Sequence, residues 1–454
     1  MNQKAYRSLW LNLIFLCTLF SANIAIPAEG PKRINNALNT APGFQLGLIQ
    51  RTRFENLADN VQIGASDNDQ VLAIRTLLNA QYSRENFTAQ LEFADIRQEL
   101  TDPDSILKSR TVNARDFLQA NIGYRFGNER NTWMRLGRFS EDWGSRRLMA
   151  RNRFRNTINA FDGMVVHHDG PKGSQTRFMA TQVVRRLPGD FSDLLNNKYK
   201  SDESSDAQRF YGIHTSLPNL FKGFNTEFFY YSLREKDTTK TRTLNRDFDS
   251  TGFRLRKPPS PGNYEFEIET IFQYGKRRSS KSDSNTTNLD HRAFFQYLML
   301  GYNFETPSNL RIQFEFDYAS GDNNPYDKDN ERFDSLFGPT TFEFAVVGLY
   351  DPFNRSNIAT PGIRLFADIL NDVSLMASYR HWWLADTQDT WGRTGIRDKT
   401  GKSGRYLGQH LQLRFRWDVI PGNLRIEAGG VYLEAKNLSD KTPKYFYTSA
   451  TLTF

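Results

Sequence analysis

The stretch Tyr445-Phe446-Tyr447-Thr448-Ser449-Ala450-Thr451-Leu452-Thr453-Phe454 alternates by twos, with Phe446, Thr448, Ala450, Leu452 and Phe454 on one largely apolar side. Period two marks a β-strand, whose successive side chains point to opposite faces. A strand this regular needs a partner on each edge, as the closing stave of a barrel has.

The pattern recurs up the chain. Leu310, Ile312, Phe314, Phe316 and Tyr318 alternate with Arg311, Gln313, Glu315 and Asp317. Tyr264, Phe266, Ile268, Thr270, Phe272 and Tyr274 alternate with Glu265, Glu267, Glu269 and Gln273. Leu411, Leu413, Phe415, Trp417 and Val419 alternate with Gln412, Arg414, Arg416 and Asp418. Each run is about the 9–11 residues that cross a bilayer at a tilt. Eighteen strands are predicted, at 44–55, 70–83, 85–97, 113–127, 131–140, 160–168, 173–186, 208–217, 223–235, 247–257, 262–276, 290–305, 308–320, 360–368, 372–384, 406–419, 422–434 and 444–454. Residues 342–350 are a candidate for one more.

The connections sort by length. Gaps 56–69, 98–112, 141–159, 187–207, 236–246, 277–289, 321–359 and 385–405 are long; those between them are short. The short ones carry turn formers such as Pro171, Pro218, Pro261-Gly262, Pro307-Ser308 and Pro421-Gly422. Outer-membrane barrels alternate short periplasmic turns with long extracellular loops in this way, and an even strand count leaves both termini in the periplasm. The predicted fold class is therefore all-β: a transmembrane antiparallel β-barrel of eighteen strands. Its last segment is similar to the C-terminal assembly signal of Gram-negative outer-membrane proteins, a resemblance that implies the bacterial outer membrane as the expected location.

Composition fits this fold. Aromatics are 14% of the 454 residues, with 36 Phe and 19 Tyr, although mean hydropathy is only −0.62. An apolar outer wall, an aqueous lumen and aromatic girdles require that mixture; a large soluble β-protein would share it. Residues 1–28 read as a secretory signal, with Lys4 and Arg7 before the apolar run 9–20 and with Ala22, Ala25 and Ala28 as small cleavage-site residues. Its removal takes away Cys17, the single cysteine, and lowers the net charge from +8 to +6. Residues 29–454 would form one barrel domain with no disulfide and no expected metal or cofactor.

Seven arginines crowd one segment: Arg135, Arg138, Arg146, Arg147, Arg151, Arg153 and Arg155. The chain enters on a strand, turns at Trp143-Gly144 and returns on Phe161-Asp162-Gly163. Guanidinium groups are permanently charged planar forks that suit carboxylates, and massed together they attract anions. A solvated loop meeting lipopolysaccharide phosphates would use the same residues. Nucleic acid would too, with Phe154 and Trp143 interleaved, but a secretory leader argues against that partner. Opposite the apolar stripes lie Arg51, Arg53, Arg75, Arg254, Arg311, Arg414 and Arg416. Glu55, Glu92, Glu265, Glu267, Glu269 and Glu315 share those faces. Inward arginines thus either brace the wall against carboxylates or meet a ligand.

Leu136-Gly137-Arg138, the run Arg151-Asn152-Arg153-Phe154-Arg155-Asn156-Thr157 and Phe161-Asp162-Gly163 together resemble the signature of the alginate export family. Tyr318-Ala319-Ser320-Gly321-Asp322, Gly348-Leu349-Tyr350-Asp351 and His381-Trp382-Trp383-Leu384-Ala385-Asp386-Thr387 follow in matching order, so the resemblance covers essentially all of the mature chain. Phe139 departs from it, standing where a polar residue is common. The resemblance implies an outer-membrane channel with an arginine-rich lumen that passes an anionic uronate polymer outward, with a periplasmic scaffold as partner. The substrate-contact residues expected are Arg51, Arg53, Arg75, Arg135, Arg138, Arg146, Arg151, Arg153, Arg155, Asp162, Arg254, Arg311, Arg414 and Arg416. Outer-membrane lipids and lipopolysaccharide are the other expected partners of a monomeric barrel.

Uptake of acidic oligosaccharides or small anions would use the same lumen, and genomic neighbours separate the two readings: polymerase genes for export, lyase genes for uptake. A barrel enzyme needs a nucleophile beside a base, and the chain has no Gly-x-Ser-x-Gly elbow and only six His, none convincingly paired with a Ser. No catalytic residue is assigned. The acidic segment 322–331 lacks the glycine of an EF-hand loop, leaving calcium or plain solvation. Trp382, Trp383 and Trp391 suit an interfacial girdle or sugar stacking.

Overall fold

The computed structural model describes residues 31–105, 108–218, 220–340, 343–345 and 348–454. The expected secretory segment 1–28 lies outside them. In order, the strands are β1 Phe44–Ala58, β2 Asp69–Arg84, β3 Phe87–Glu99, β4 Asn113–Phe126, β5 Thr132–Phe139 and β6 Phe161–Asp169. Next come β7 Gln175–Arg185, β8 Glu203–Pro218, β9 Asn225–Glu235, β10 Asp247–Lys257, β11 Asn263–Arg277, β12 Leu289–Asn303 and β13 Arg311–Ala319. After the two-residue β14 (Asp329–Asn330) follow β15 Ile358–Leu370, β16 Val373–Trp383, β17 Tyr406–Ile420, β18 Leu424–Ala435 and β19 Lys444–Thr453. All but β14 are staves, each antiparallel to its neighbours; β14 only adds a parallel edge to β12, and β13 pairs directly with β15.

The sheet closes on itself. β1 pairs with β19 in the register Ile49↔Thr453 to Ala58↔Lys444. Phe454 N donates to Leu48 O (2.9 Å) and Leu48 N to Phe454 O (3.0 Å). Closure leaves no open edge, the condition for a sheet within lipid, where an unpaired backbone group costs several kcal/mol. All eighteen predicted strands are present, with ends shifted by a few residues. The largest shift is β8, which begins at Glu203 because a bulge between Gln182 and Val184 lets it pair with the end of β7. The described part of 342–350 forms no strand.

The two faces separate as the alternation requires. Leu91, Ile122, Phe272, Leu298, Leu413 and Phe446 are exposed on the outside, as a lipid-facing wall demands, while Tyr445 and Tyr447 are buried inside. Two of the long loops do not stay outside. Residues 140–160 and the described residues of 320–357 turn into the lumen and meet there: Phe337 N donates to Leu148 O (2.9 Å) and Asn159 Nδ2 to Phe337 O (3.0 Å). Phe337 also packs edge-on against Phe161 and Phe210 of the wall. The 320–357 loop touches staves round the barrel: Gln273 of β11 through Asp334 N, Glu55 of β1 through Leu349 N, and Trp382 of β16, on which Phe353 stacks at 3.7 Å.

Candidate functional site

Arg51 on β1 and Arg75 on β2 are direct cross-strand partners. Like charges facing each other repel, and both side chains are buried, at 6% exposure. Their acceptors come from the tip of the inward 140–160 loop. Arg51 Nη1 donates to Arg153 O (2.8 Å), and its Nη2 to Arg155 O (3.3 Å) and Asn156 Oδ1 (3.1 Å). Arg75 Nη1 donates to Arg153 O (3.0 Å) and Arg155 O (3.1 Å). Among the described residues neither forms an ion pair, and the Nε of each is buried without a partner. Arg53, two residues along, differs: it bonds Glu55 (2.6 Å), donates to Phe154 O, and lies 4.1 Å from the Phe154 ring centre. Asn156 fastens the same tip to the wall, its Nδ2 donating to Thr111 O (2.9 Å) and Arg97 O (3.0 Å).

Across the lumen the charges are matched. Arg147, from the 140–160 loop, bonds Glu267 (2.5 Å) and Glu269 of β11 and Glu343 (2.9 Å) of the 320–357 loop, and stacks 3.7 Å from the Tyr297 ring centre. Burial would push the Glu343 carboxyl up, but Arg355, Arg147 and Arg364 hold it below the ordinary carboxylate range. Gly338 lies so close that a Cβ there would be 1.7 Å from Arg147 O. Arg254 bonds Glu227 (3.1 Å) and Glu267 (2.8 Å), Arg311 bonds Glu265 (2.5 Å), and Arg380 spans Glu315 (2.5 Å) and Asp317 (3.1 Å). Arg146, Arg254 and Arg311 line one cavity of about 220 Å³ that reaches Pro259 in the short turn after β10.

The other expected residues divide. Arg135 pairs with Glu141, Arg151 with Glu92 (2.9 Å) and Arg416 with Glu427. Arg153 bonds Asp142 (2.9 Å) while its side chain stays 65% exposed. Arg414 has no hydrogen bond or ion pair among the described residues. Arg138 and Asp162, expected in the lumen, are on the other side of the wall. Phe139 and Phe161 point inward, so their neighbours Arg138 and Asp162, opposite each other in register, point outward. There they form a two-bond pair at 2.8 and 2.9 Å. The tryptophans also divide: Trp383 lies against His381 and Tyr406, whereas Trp382 and Trp391 are buried against Phe353 of the inward loop.

Sequence reasoning missed Arg110, Arg186, Arg393 and Asp351, which come together with Arg155 from five separate loops. Arg110 and Arg393 both bond Asp351, the latter at 2.9 Å. Burial would raise the Asp351 carboxyl, but Arg393 and Arg110 hold it below its ordinary value. Asp351 stands in the motif Gly348-Leu349-Tyr350-Asp351; no periodicity marks the three arginines.

The alginate export family model matches residues 44–435, which carry both inward loops and most of the wall. The chain belongs to the alginate export family. No curated protein matches this family member in sequence. Its fold is similar to that of solved porins. Pseudomonas aeruginosa OccK9 (OpdG) superposes with a TM-score of 0.61 at 13% identity, over 90% of this chain and 98% of that one. Pseudomonas aeruginosa OpdO gives 0.59 at 14% identity, over 92% and 99%. A BenF-like porin from Pseudomonas fluorescens Pf-5 gives 0.59 at 10% identity, over 91% and 99%. At such identities the likeness is one of fold alone. Family and fold together make the protein a bacterial outer-membrane barrel and a channel.

Proposed function

We propose that the channel carries an anionic, alginate-like polyuronate outward, with luminal guanidinium groups standing in for the polymer's counterions. The observation that carries this reading is the Arg51–Arg75 pair: two buried cations in register, with neutral carbonyls of residues 153 and 155 as acceptors. A carboxylate accepts charge-assisted hydrogen bonds roughly twice as strong as those of a neutral acceptor, so a uronate competes well for these groups. Across the lumen Arg147, Arg254 and Arg380 are already matched by carboxylates, which keeps the polymer from being held too tightly to leave. Membership of the alginate export family supports the outward direction. Calcium at 322–331 and a periplasmic scaffold play no part in the reading.

Planar-bilayer recording tests it. The expected result is anion preference in a salt gradient and block by oligouronates but not by neutral glucans of equal length, with both effects reduced by Arg51→Gln/Arg75→Gln. Equal block by charged and neutral chains would overturn the reading. Direction is read in cells: loss of the protein should strand the polymer in the periplasm, whereas a failure to grow on acidic oligosaccharides would mean uptake.

A further inference from the structure

We propose that Arg110, Arg155, Arg186 and Arg393 form a second carboxylate-binding subsite at the long-loop end of the lumen, the last contact of a uronate chain before it leaves. The proposal rests on the polyuronate reading above and adds a place and a set of side chains to it.

Four connections build the cluster: 100–112 supplies Arg110, 140–160 supplies Arg155, 186–202 supplies Arg186 and 384–405 supplies Arg393. Asp351 comes from 320–357. The backbone ties the first two together, since Thr157 N donates to Arg110 O at 3.0 Å. Charge is out of balance. Arg110 and Arg393 share the single carboxylate of Asp351. Arg155 and Arg186 share a neutral acceptor, both donating to Asn159 Oδ1, Arg186 at 3.0 Å. The remaining Arg155 bond goes to Thr157 O (3.2 Å), and Arg186 Nε is buried with no partner. Lys108 belongs to the same field: burial and then Arg110 lower its ammonium. Asp202 faces Arg186, but burial, with Asp116, pushes its carboxyl up to about 7, so near neutral pH it offers only part of a charge. Five cations (Lys108, Arg110, Arg155, Arg186, Arg393) therefore meet one fully ionised carboxylate.

Such an excess is costly in a partly buried place unless an anion joins it. The cost is visible at Arg155, whose guanidinium is held well below its ordinary value by burial and then by Arg186, Arg110 and Arg393. If the arginines only braced loops, each would have a carboxylate, as Arg147, Arg254 and Arg380 do on the far wall. Two forks on one amide oxygen instead leave N–H groups for a bidentate acceptor. Arg110 and Arg155 also line a cavity of about 30 Å³ with Arg53 and Glu55. That space admits a carboxylate head or a water or two, not a sugar ring. The ligand class is therefore a carboxylate carried on a chain that itself stays outside this cavity. Through Arg53 the cavity adjoins the Arg51–Arg75 site, so the two subsites are successive stations.

The test uses the full-length protein in planar bilayers, with a uronate trisaccharide added from one side at a time. Wild type should be blocked from both sides. Arg186→Gln/Arg393→Gln should weaken block from the long-loop side by roughly tenfold and leave block from the turn side within about twofold. Arg51→Gln/Arg75→Gln should weaken both. Should the double variant not assemble, Arg393→Gln alone carries the test, because its side chain is 37% exposed. Equal weakening from both sides, or none, overturns the subsite while the polyuronate reading stands. Absence of uronate block in wild type overturns both.

Discussion

Replacing Arg147 by glutamine should loosen both inward loops at once. Arg147 is 3% exposed and holds three carboxylates, but these do not lose equally when it is removed. Glu267 keeps Arg254 at 2.8 Å, and Glu343 keeps Arg355. Among the described residues, Glu269 keeps the Ser145 hydroxyl, at 2.9 Å, as its one side-chain hydrogen-bond partner. The damage is therefore centred on one buried carboxylate that loses its ion-pair contact. Breaking a buried pair by removing one partner costs about 3–5 kcal/mol, which is roughly a hundred- to several-thousand-fold in the balance between docked and released loops. Single-channel recording should show larger and noisier currents, and limited proteolysis should cut within 140–160 or 320–357 while the wall stays intact. Arg147→Gln/Glu269→Gln removes the stranded charge and should recover most of the quiet behaviour. As a comparison, Arg97→Gln breaks the half-exposed Arg97–Asp95 pair (3.0 Å) and should cost no more than about 1 kcal/mol. Wild-type currents from Arg147→Gln, or no recovery in the double variant, would refute the idea that this cation pins the loops.

Two more outcomes follow from the loops. Gly338→Ala places a Cβ 1.7 Å from Arg147 O, a backbone atom that has no free rotation to escape by, so the loops must part; Gly189→Ala, which meets nothing within 4 Å, should leave conductance and thermal unfolding unchanged. At the root of 320–357, burial and then Asp389 and Glu331 push the Asp322 carboxyl up to about 7. The docked loop thus holds its proton more tightly than a released one, whose carboxyl titrates near the ordinary value of about 4. Docking is firmest at low pH, weakens as pH rises from about 4 to about 7, and is level above that. Channel flicker should grow across this range and lose its pH dependence in Asp322→Asn; flicker that falls with rising pH would contradict the sign.

Much of the barrel was legible because its rule is local. Period two in segments such as 310–318 and 411–419 needs no knowledge of partners, and the length of each gap tells which end it closes. The same rule, applied one residue at a time from Phe139 and Phe161, would have sent Arg138 and Asp162 outward; grouping them with their arginine-rich neighbours hid it. Loop behaviour was not local. The bonds that draw Arg147 inward go to residues 120 and 122 positions away, and Leu349 reaches Glu55 across 294. Arg110, Arg186 and Arg393 carry no pattern, and only folding assembles them.

The sequence by itself determined a closed barrel with a lipid-facing apolar wall and arginines on the inner one. Alternation sorts side chains by face, and lipid tolerates no unpaired strand edge. Only the tertiary structure decided which arginines are neutralised and which are left with carbonyls or amides. An ion pair depends on where two distant segments meet in the lumen. That decision separates Arg147, Arg254 and Arg380, which are paired with carboxylates, from Arg51, Arg75, Arg155 and Arg186, whose acceptors are carbonyl and amide oxygens.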